Sequence, residues 1–231
     1  MQTTVKAVLF DIGSTLIEGP AISPSKKISA LLVGDYSLKK EIAATIMTTN
    51  IKTVEELEVI LNKKHGNSRD ISSELKTIWK EQENSSEVKD GTMELWKKCR
   101  KLGLKTGLIS NIWFPYYSSF VKVCPEIDQG VDVKLLSFER GFQKPDVRMF
   151  TQAVEELKLK PEEIVIVGDT YDCDIAPAIE AGIKTIWFLH RHENEKEALL
   201  SLEKGTAKKP DFTQETLRDI TSLFENSFST I

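Results

Sequence analysis

Short apolar runs that alternate with helical segments constrain the fold of this 231-residue chain more than any other feature. The first run begins at Val5 and stops abruptly at Asp11, as is typical of a buried parallel strand that delivers a polar residue at its carboxyl end. Similar runs follow at residues 104–109, 164–167 and 185–189. Each is preceded by a segment whose apolar residues have helical spacing. This alternation predicts an α/β protein with a doubly wound parallel sheet.

The pattern changes between the first two apolar runs, because helical signals follow one another there and no convincing strand occurs. Thr53 and Glu56, for example, form a capping box ahead of an apolar helix face. We therefore expect an inserted α-helical domain at residues 19–88. The core domain would then consist of residues 1–18 and 89–231.

Composition and charge exclude several classes of protein. The formal net charge of −4 gives no overall positive field that would attract nucleic acid or an anionic membrane. The three cysteines are widely separated and include no CxxC pair, which favours reduced thiols over disulfides or a zinc site. Neither a secretory signal nor a membrane-spanning run is present. We expect a cytoplasmic protein with no nucleic-acid or membrane partner; the pattern does not indicate its oligomeric state.

Polar groups that carry chemistry follow the apolar runs, at the edge where open α/β sheets bind ligands. Asp11 begins a turn of small residues that includes Gly13, and a hydroxyl and an amide follow the second run at Ser110 and Asn111. A single cation, Lys144, precedes a proline and a helix. Each of these three motifs, taken alone, also fits an ordinary turn or surface position.

The fourth motif, residues 168–174, is more specific. It places Asp169, Asp172 and Asp174 directly after a buried strand. Carboxylates gathered in this way repel one another unless a cation compensates them, so the motif predicts a site for a hard cation such as Mg²⁺.

These four motifs, in this order, resemble those of the haloacid dehalogenase-like hydrolases that carry a helical cap after the first motif. The resemblance runs from Val5 to about Phe224 and includes the sequence around Lys144 and the spacing of Asp169 and Asp174. It implies a Rossmann-like core, a helical cap at residues 19–88, and a magnesium-dependent phosphatase acting on a small phosphorylated metabolite. The metabolite itself is not indicated.

The resemblance also implies a role for each motif. Asp11 would be the nucleophile that forms an aspartyl-phosphate, and Ser110 and Lys144 would bind the phosphoryl group, with Asn111 beside them. Magnesium would be bound by Asp11, Asp169 and the Gly13 carbonyl. Asp174 would complete the metal site by orienting Lys144 or a metal-bound water.

The chain departs from the family pattern at Gly13, where related phosphatases carry a second aspartate that protonates the leaving group and activates water. Glycine can do neither, and loss of such acid–base help typically costs a factor of about 10² to 10⁴ in rate. Slow turnover, a good leaving group or an acid borrowed from the cap would each be consistent with this residue. Asp172 is the nearest other carboxylate in the sequence.

Three alternatives remain open. A protein that binds phosphate and magnesium with little catalysis would also lack the acid at position 13. A dehalogenase would need an early cap arginine, but none precedes Arg69, and it would need no acidic metal cluster. Phosphonate cleavage through a Schiff base would use a cap lysine, for which Lys52 is a candidate.

Two further groups of residues are interpreted more simply. The three histidines, His65, His190 and His192, are too scattered to form a metal site, so we expect surface roles for them. The aromatic residues after the second motif could belong to the core or line the substrate pocket; these are Trp113, Phe114, Tyr116 and Tyr117.

Overall fold

The computed structural model describes residues 4–66 and 70–227, so Arg69 lies outside the described residues. Its main sheet has six strands, all of which pair in parallel, in the order β5-β4-β1-β6-β7-β8. Two further short strands, β2 and β3, pair antiparallel as a separate ribbon. The strands are β1 (Ala7–Phe10), β2 (Ile17–Glu18), β3 (Glu87–Val88), β4 (Lys105–Ser110), β5 (Val133–Leu136), β6 (Ile164–Gly168), β7 (Lys184–Phe188) and β8 (Phe212–Gln214).

Helices connect the strands and cover both faces of the sheet. They are α1 (Pro24–Val33), α2 (Lys39–Thr48), α3 (Val54–His65), α4 (Ser72–Gln82), α5 (Thr92–Lys101), α6 (Phe114–Val123), α7 (Pro125–Gly130), α8 (Ser137–Arg140), α9 (Arg148–Leu157), α10 (Ala176–Glu180), α11 (Lys196–Glu203) and α12 (Leu217–Ser227). Short turns of 3₁₀ helix occur at Pro161–Glu163 and His192–Glu195, and a π-helical turn occurs at Tyr171–Ile175.

Alternate residues of the central strand serve the two cores. Val8 and Phe10 pack on one face with residues of α5, α6 and α12, whereas Ala7 and Leu9 pack on the other face with residues of α9 and α10. Because a strand turns successive side chains to opposite faces, a strand buried on both faces must be apolar throughout. The predicted doubly wound α/β fold is confirmed.

The inserted segment is helical, with the ribbon at its base. Helices α1 to α4 share a separate apolar cluster that also takes in Trp113 from the loop after β4. Thr53 forms the predicted capping box with Glu56 at the start of α3. The ribbon brings Glu18 beside Glu87, at the two predicted junctions. The division into a core of residues 1–18 and 89–231 and a cap of residues 19–88 stays a prediction.

Several strands lack a sequence signal. β8 has only three residues, two of them polar, at the edge of the sheet, and β5 interrupts its apolar residues with Lys134. The two-residue strands of the ribbon are too short for any periodicity to register. Within residues 4–66 and 70–227, no helix is both long enough and apolar enough to cross a bilayer.

Candidate active site

The predicted site residues meet at one edge of the sheet. β4, β1 and β6 are adjacent and parallel, so their carboxyl ends lie side by side. Ser110 is the last residue of β4, Asp11 follows β1, and Asp169 follows β6. All three are buried, with exposed fractions of 6% or less. The sequence rule that polar residues follow buried strands therefore locates these three side chains correctly.

Lys144 is buried among the carboxylates. Its Nζ donates to Asp11 Oδ1 at 2.7 Å, to Asp174 Oδ1 at 2.5 Å and to the carbonyl oxygen of Ile109 at 3.0 Å. Burial opposes the charged form of Lys144, but the negative charges of Asp11 and Asp174 outweigh it and raise the pKa of the ammonium above its usual value. The site therefore holds a permanent cation in contact with Asp11.

Three carboxylates are arranged to bind a cation. Asp11, Asp169 and Asp174 each offer an oxygen, and these oxygens lie within 4.8 Å of one another. The Thr15 hydroxyl lies between the first two, 3.2 Å from Asp11 Oδ2 and 3.4 Å from Asp169 Oδ1. A set made only of oxygen ligands suits Mg²⁺ or Ca²⁺ better than softer metals.

The carboxylates are not fully compensated by the protein. Burial, followed by the charges of its acidic neighbours, raises the pKa of Asp169 to about 7. Burial likewise raises the pKa of Asp174 to about 6, against the opposing effect of Lys144. The positive charges of Lys144 and Arg191 leave one negative charge when all three carboxylates are ionised. A divalent cation would reverse that sign and prepare the site for an anionic ligand.

Asn111 connects the second motif to the third. Its amide nitrogen donates to the Lys144 carbonyl oxygen, and its amide oxygen accepts from the Lys144 backbone N–H, both at 2.8 Å. These two bonds fix the backbone from which the lysine side chain extends. The prediction that Asn111 contacts substrate stays a prediction, since the amide nitrogen has a second hydrogen.

Glycine occupies two positions of the site, 13 and 168, but a side chain would clash at only one of them. A Cβ at Gly168 would lie 2.4 Å from Asp174 Cβ, so only glycine lets that carboxylate approach the end of β6. A Cβ at Gly13 would meet nothing closer than Tyr116 Cε1 at 3.7 Å, an ordinary contact distance, and Gly13 has no left-handed backbone conformation. The structure thus requires glycine at 168 but not at 13.

Two site residues were missed by the sequence analysis. The guanidinium of Arg191 pairs with Asp169 Oδ2. His190 Nε2 donates to the Ser14 carbonyl oxygen at 2.9 Å and lies 3.8 Å from Asp169 Oδ2, so the expected surface role is wrong for this histidine. Both residues follow the apolar strand β7, and the rule that located Asp11 and Asp169 would have found them.

The other two histidines lie elsewhere. His192 is exposed, as expected, and pairs with Glu215. His65 is half-buried at the end of α3, where its Nε2 lies 3.9 Å from Glu41. Neither histidine contacts the carboxylates of the site.

Two cavities meet at the site. The smaller, about 170 Å³, contains the carboxylates, Ser110 and Lys144 and is called here the catalytic cavity. The larger, about 380 Å³, lies between the core and the inserted helices and is called the cap cavity. Both are lined by Gly13, Asn111 and Arg191, so a ligand bound in one can extend into the other.

Of the four aromatic candidates, two line the cap cavity and two pack in the core. Trp113 and Tyr116 line the cap cavity, whereas Phe114 and Tyr117 pack against Phe138. Asp172 is exposed and lines neither of the two cavities.

Cys173 lines the catalytic cavity. Burial raises the pKa of its thiol to about 11, so it remains protonated and is a poor nucleophile at neutral pH.

Proteins of known activity resemble this chain over most of its length. It is 27% identical over 200 residues to the glyceraldehyde 3-phosphate phosphatase of Methanothermobacter thermautotrophicus, with 79% of this chain and 84% of the relative covered. It is 25% identical over 209 residues to the N-acylneuraminate-9-phosphatase of Mus musculus, covering 79% and 82%. Another match is partial, since the chain spans 40% of the Pyrococcus furiosus glyceraldehyde 3-phosphate phosphatase, at 29% identity over 99 residues.

Solved structures share the fold. An enzyme of the HAD family from Bacteroides thetaiotaomicron, in complex with magnesium, aligns with a TM-score of 0.59 and 19% identity. The alignment covers 79% of this chain and 92% of that enzyme. The L-2-haloacid dehalogenase of Xanthobacter autotrophicus aligns with a TM-score of 0.60 and 18% identity over 97% and 100%. Since these likenesses show the fold alone, family membership is decided by sequence. Residues 5–182 match the family model for haloacid dehalogenase-like hydrolases, and this chain belongs to that family.

Proposed function

We propose that the chain is a magnesium-dependent phosphoric monoester hydrolase that acts on a small phosphorylated metabolite through an aspartyl-phosphate on Asp11. The observation that carries this proposal is the buried Lys144 ammonium between Asp11 and Asp174, with Asp169 close enough to share a cation. The phosphatase relatives from Methanothermobacter and mouse support it.

The first step transfers the phosphoryl group to the protein. A carboxylate oxygen of Asp11 attacks phosphorus in line, the ester P–O bond breaks, and its electron pair leaves with the alcohol oxygen. Lys144 offsets negative charge on the reacting oxygens, and Ser110 donates to a phosphoryl oxygen. Its burial at the wall of the catalytic cavity supports this role for Ser110.

The second step releases phosphate. Water attacks phosphorus and loses a proton, and the bond to Asp11 breaks. Inorganic phosphate is released and the Asp11 carboxylate is regenerated. Mg²⁺ held by Asp11, Asp169 and the Gly13 carbonyl would supply positive charge for the phosphoryl oxygens in both steps. Asp174 keeps Lys144 in place through its 2.5 Å hydrogen bond.

No general acid is assigned for the first step, and no general base is assigned for the second. Gly13 has no side chain, and Asp172 is exposed outside the two cavities. Activity should therefore be slow on esters with poor leaving groups. This absence also favours a second candidate function, in which the protein binds phosphate and magnesium with little turnover.

The experiment is hydrolysis of p-nitrophenyl phosphate with Mg²⁺ and with a chelator. Asp11→Asn should abolish the magnesium-dependent rate because it removes the nucleophile. Asp172→Asn is the matched control and should retain the rate, since Asp172 belongs to the same acidic segment but is exposed. Hydrolysis that persists in Asp11→Asn would refute the mechanism. Binding of Mg²⁺ and phosphate without any turnover would select the second candidate.

A further inference from the structure

The cap cavity is placed to receive the part of the substrate that departs. A phosphoryl group at Asp11 lies in the catalytic cavity, and the two cavities share walls at Gly13, Asn111 and Arg191. The rest of a phosphate ester must therefore extend into the cap cavity. Its volume of about 380 Å³ is at the small end of the usual range for ligand pockets. This step rests on the proposed function.

Gln82, the last residue of α4, lines the cap cavity and carries an unpaired buried donor. The side chain is buried, with an exposed fraction of 1%. Trp113 Nε1 donates to Gln82 Oε1 at 3.1 Å. Since an indole N–H can only donate, this bond fixes which end of the amide is oxygen. The Nε2 group then has no hydrogen-bond partner, which is costly for a buried donor unless a ligand supplies an acceptor.

Each charged residue that lines the cap cavity already has an ion-pair partner. Its only charged lining residues are Glu18 and Arg191 among those described. Glu18 pairs with Lys89, and Arg191 pairs with Asp169. While these ion pairs hold, a leaving group with its own charge would find no free counterion there. A neutral group with hydroxyl or carbonyl oxygens would find unpaired donors in Gln82 Nε2 and Arg191 Nε.

We propose that Gln82 determines substrate specificity by donating from Nε2 to a hydroxyl or carbonyl oxygen of a small neutral leaving group. The substrate class is accordingly the phosphate monoesters of small polyols and hydroxycarbonyl compounds. Trp113 acts as a positioning residue, because it holds the amide by its oxygen and leaves the nitrogen for the substrate.

Binding of two matched, non-hydrolysable phosphonates tests this without turnover. In the presence of Mg²⁺, calorimetry should show 3,4-dihydroxybutylphosphonate binding wild type about 5- to 100-fold more tightly than butylphosphonate, which lacks the hydroxyls. Gln82→Met, which has no hydrogen-bond donor, should bring this ratio close to one. Gln82→Glu should do the same at pH 8 while still accepting from Trp113.

Trp113→Phe is the control for a merely structural effect. It removes the bond that positions the Gln82 amide but leaves the Nε2 donor, so the preference should fall, but by less than in Gln82→Met. A wild-type ratio near one, or an unchanged ratio in both Gln82 variants, would overturn the proposal. The proposed function fails separately: if the protein does not hydrolyse p-nitrophenyl phosphate in a magnesium-dependent way, that function is refuted. The preference for the dihydroxy phosphonate over butylphosphonate is not affected by that outcome.

Discussion

At position 13 this chain carries glycine, where the family resemblance leads us to expect an aspartate. The glycine carbonyl can still face a metal, but the residue offers no proton, and a Cβ added there would meet only ordinary contacts. Only one atom of Tyr116, at 3.7 Å, would contact an added Cβ. Backbone strain therefore does not require glycine at position 13, and the consequence of glycine there is the missing proton donor.

Gly13→Asp should restore acid help and reduce the dependence of rate on the leaving group. An alkoxide needs a proton in the transition state, whereas p-nitrophenolate departs as a stable anion. We expect a gain of about 10² for alkyl phosphates and a smaller gain for aryl phosphates, measured as kcat/KM. Gly13→Ala, which adds the Cβ without the carboxyl, should give no gain. Brisk alkyl phosphate hydrolysis by wild type would show that another group supplies the proton.

Magnesium binding should depend on pH through Asp169. Its carboxyl group has a pKa raised to about 7 and must lose its proton before it can bind the metal. Affinity should therefore rise with pH, by about tenfold between pH 6 and pH 8, with proton release detected by calorimetry in two buffers. Asp169→Ala should lose both the binding and the proton release. Equal affinity at the two pH values would contradict this assignment.

At the scale of elements, the loop after β4 is held against the loop before α9. The double hydrogen bond between Asn111 and the Lys144 backbone joins them. The sequence located both residues but gave no sign of this bond, because their separation of 33 positions hides the contact. The same limit applies to Gln82, whose importance depends on Trp113 from another element.

Asn111→Leu should displace Lys144 and lower kcat by about 10², since an oriented charge contributes mainly when it is preorganised. Asn111→Asp, which keeps the acceptor for the Lys144 N–H but loses the donor, should fall between wild type and Asn111→Leu. A wild-type rate in Asn111→Leu would show that the lysine is held without this bond.

The fold was more predictable than the site. Short, mostly apolar runs identified β1, β4, β6 and β7, because strands buried on both faces leave that pattern. Edge strands and the ribbon carry no such pattern, so β5, β8, β2 and β3 were missed. Arg191 and His190 follow β7 as Asp11 follows β1, and they were missed only because the rule was not applied there.

At the scale of the whole molecule, ligand binding should stabilise the fold. Mg²⁺ with inorganic phosphate binds only the assembled site, so at about 100 times Kd it should add about 2.7 kcal/mol to the free energy of unfolding. For a chain of this size that corresponds to a rise in Tm of roughly 5–10 °C by differential scanning calorimetry. Asp169→Ala should remove the rise caused by Mg²⁺. An unchanged Tm for wild type would argue against a preformed site.

The β2–β3 ribbon brings the two ends of the inserted helical segment together. It pairs Ile17 with Val88 and Glu18 with Glu87, so the chain leaves the core and returns to it at nearly the same point. An insertion whose ends are already adjacent adds little loop-closure entropy whatever its length. A tight hairpin turn, or a different helical bundle, can therefore be grafted between β2 and β3 without altering the order of the parallel strands. Any replacement must cover Trp113, because that side chain is buried against the helices it would lose. Under the proposed function, replacing the inserted helices would change the leaving-group specificity while the residues proposed to bind the phosphoryl group stay in place.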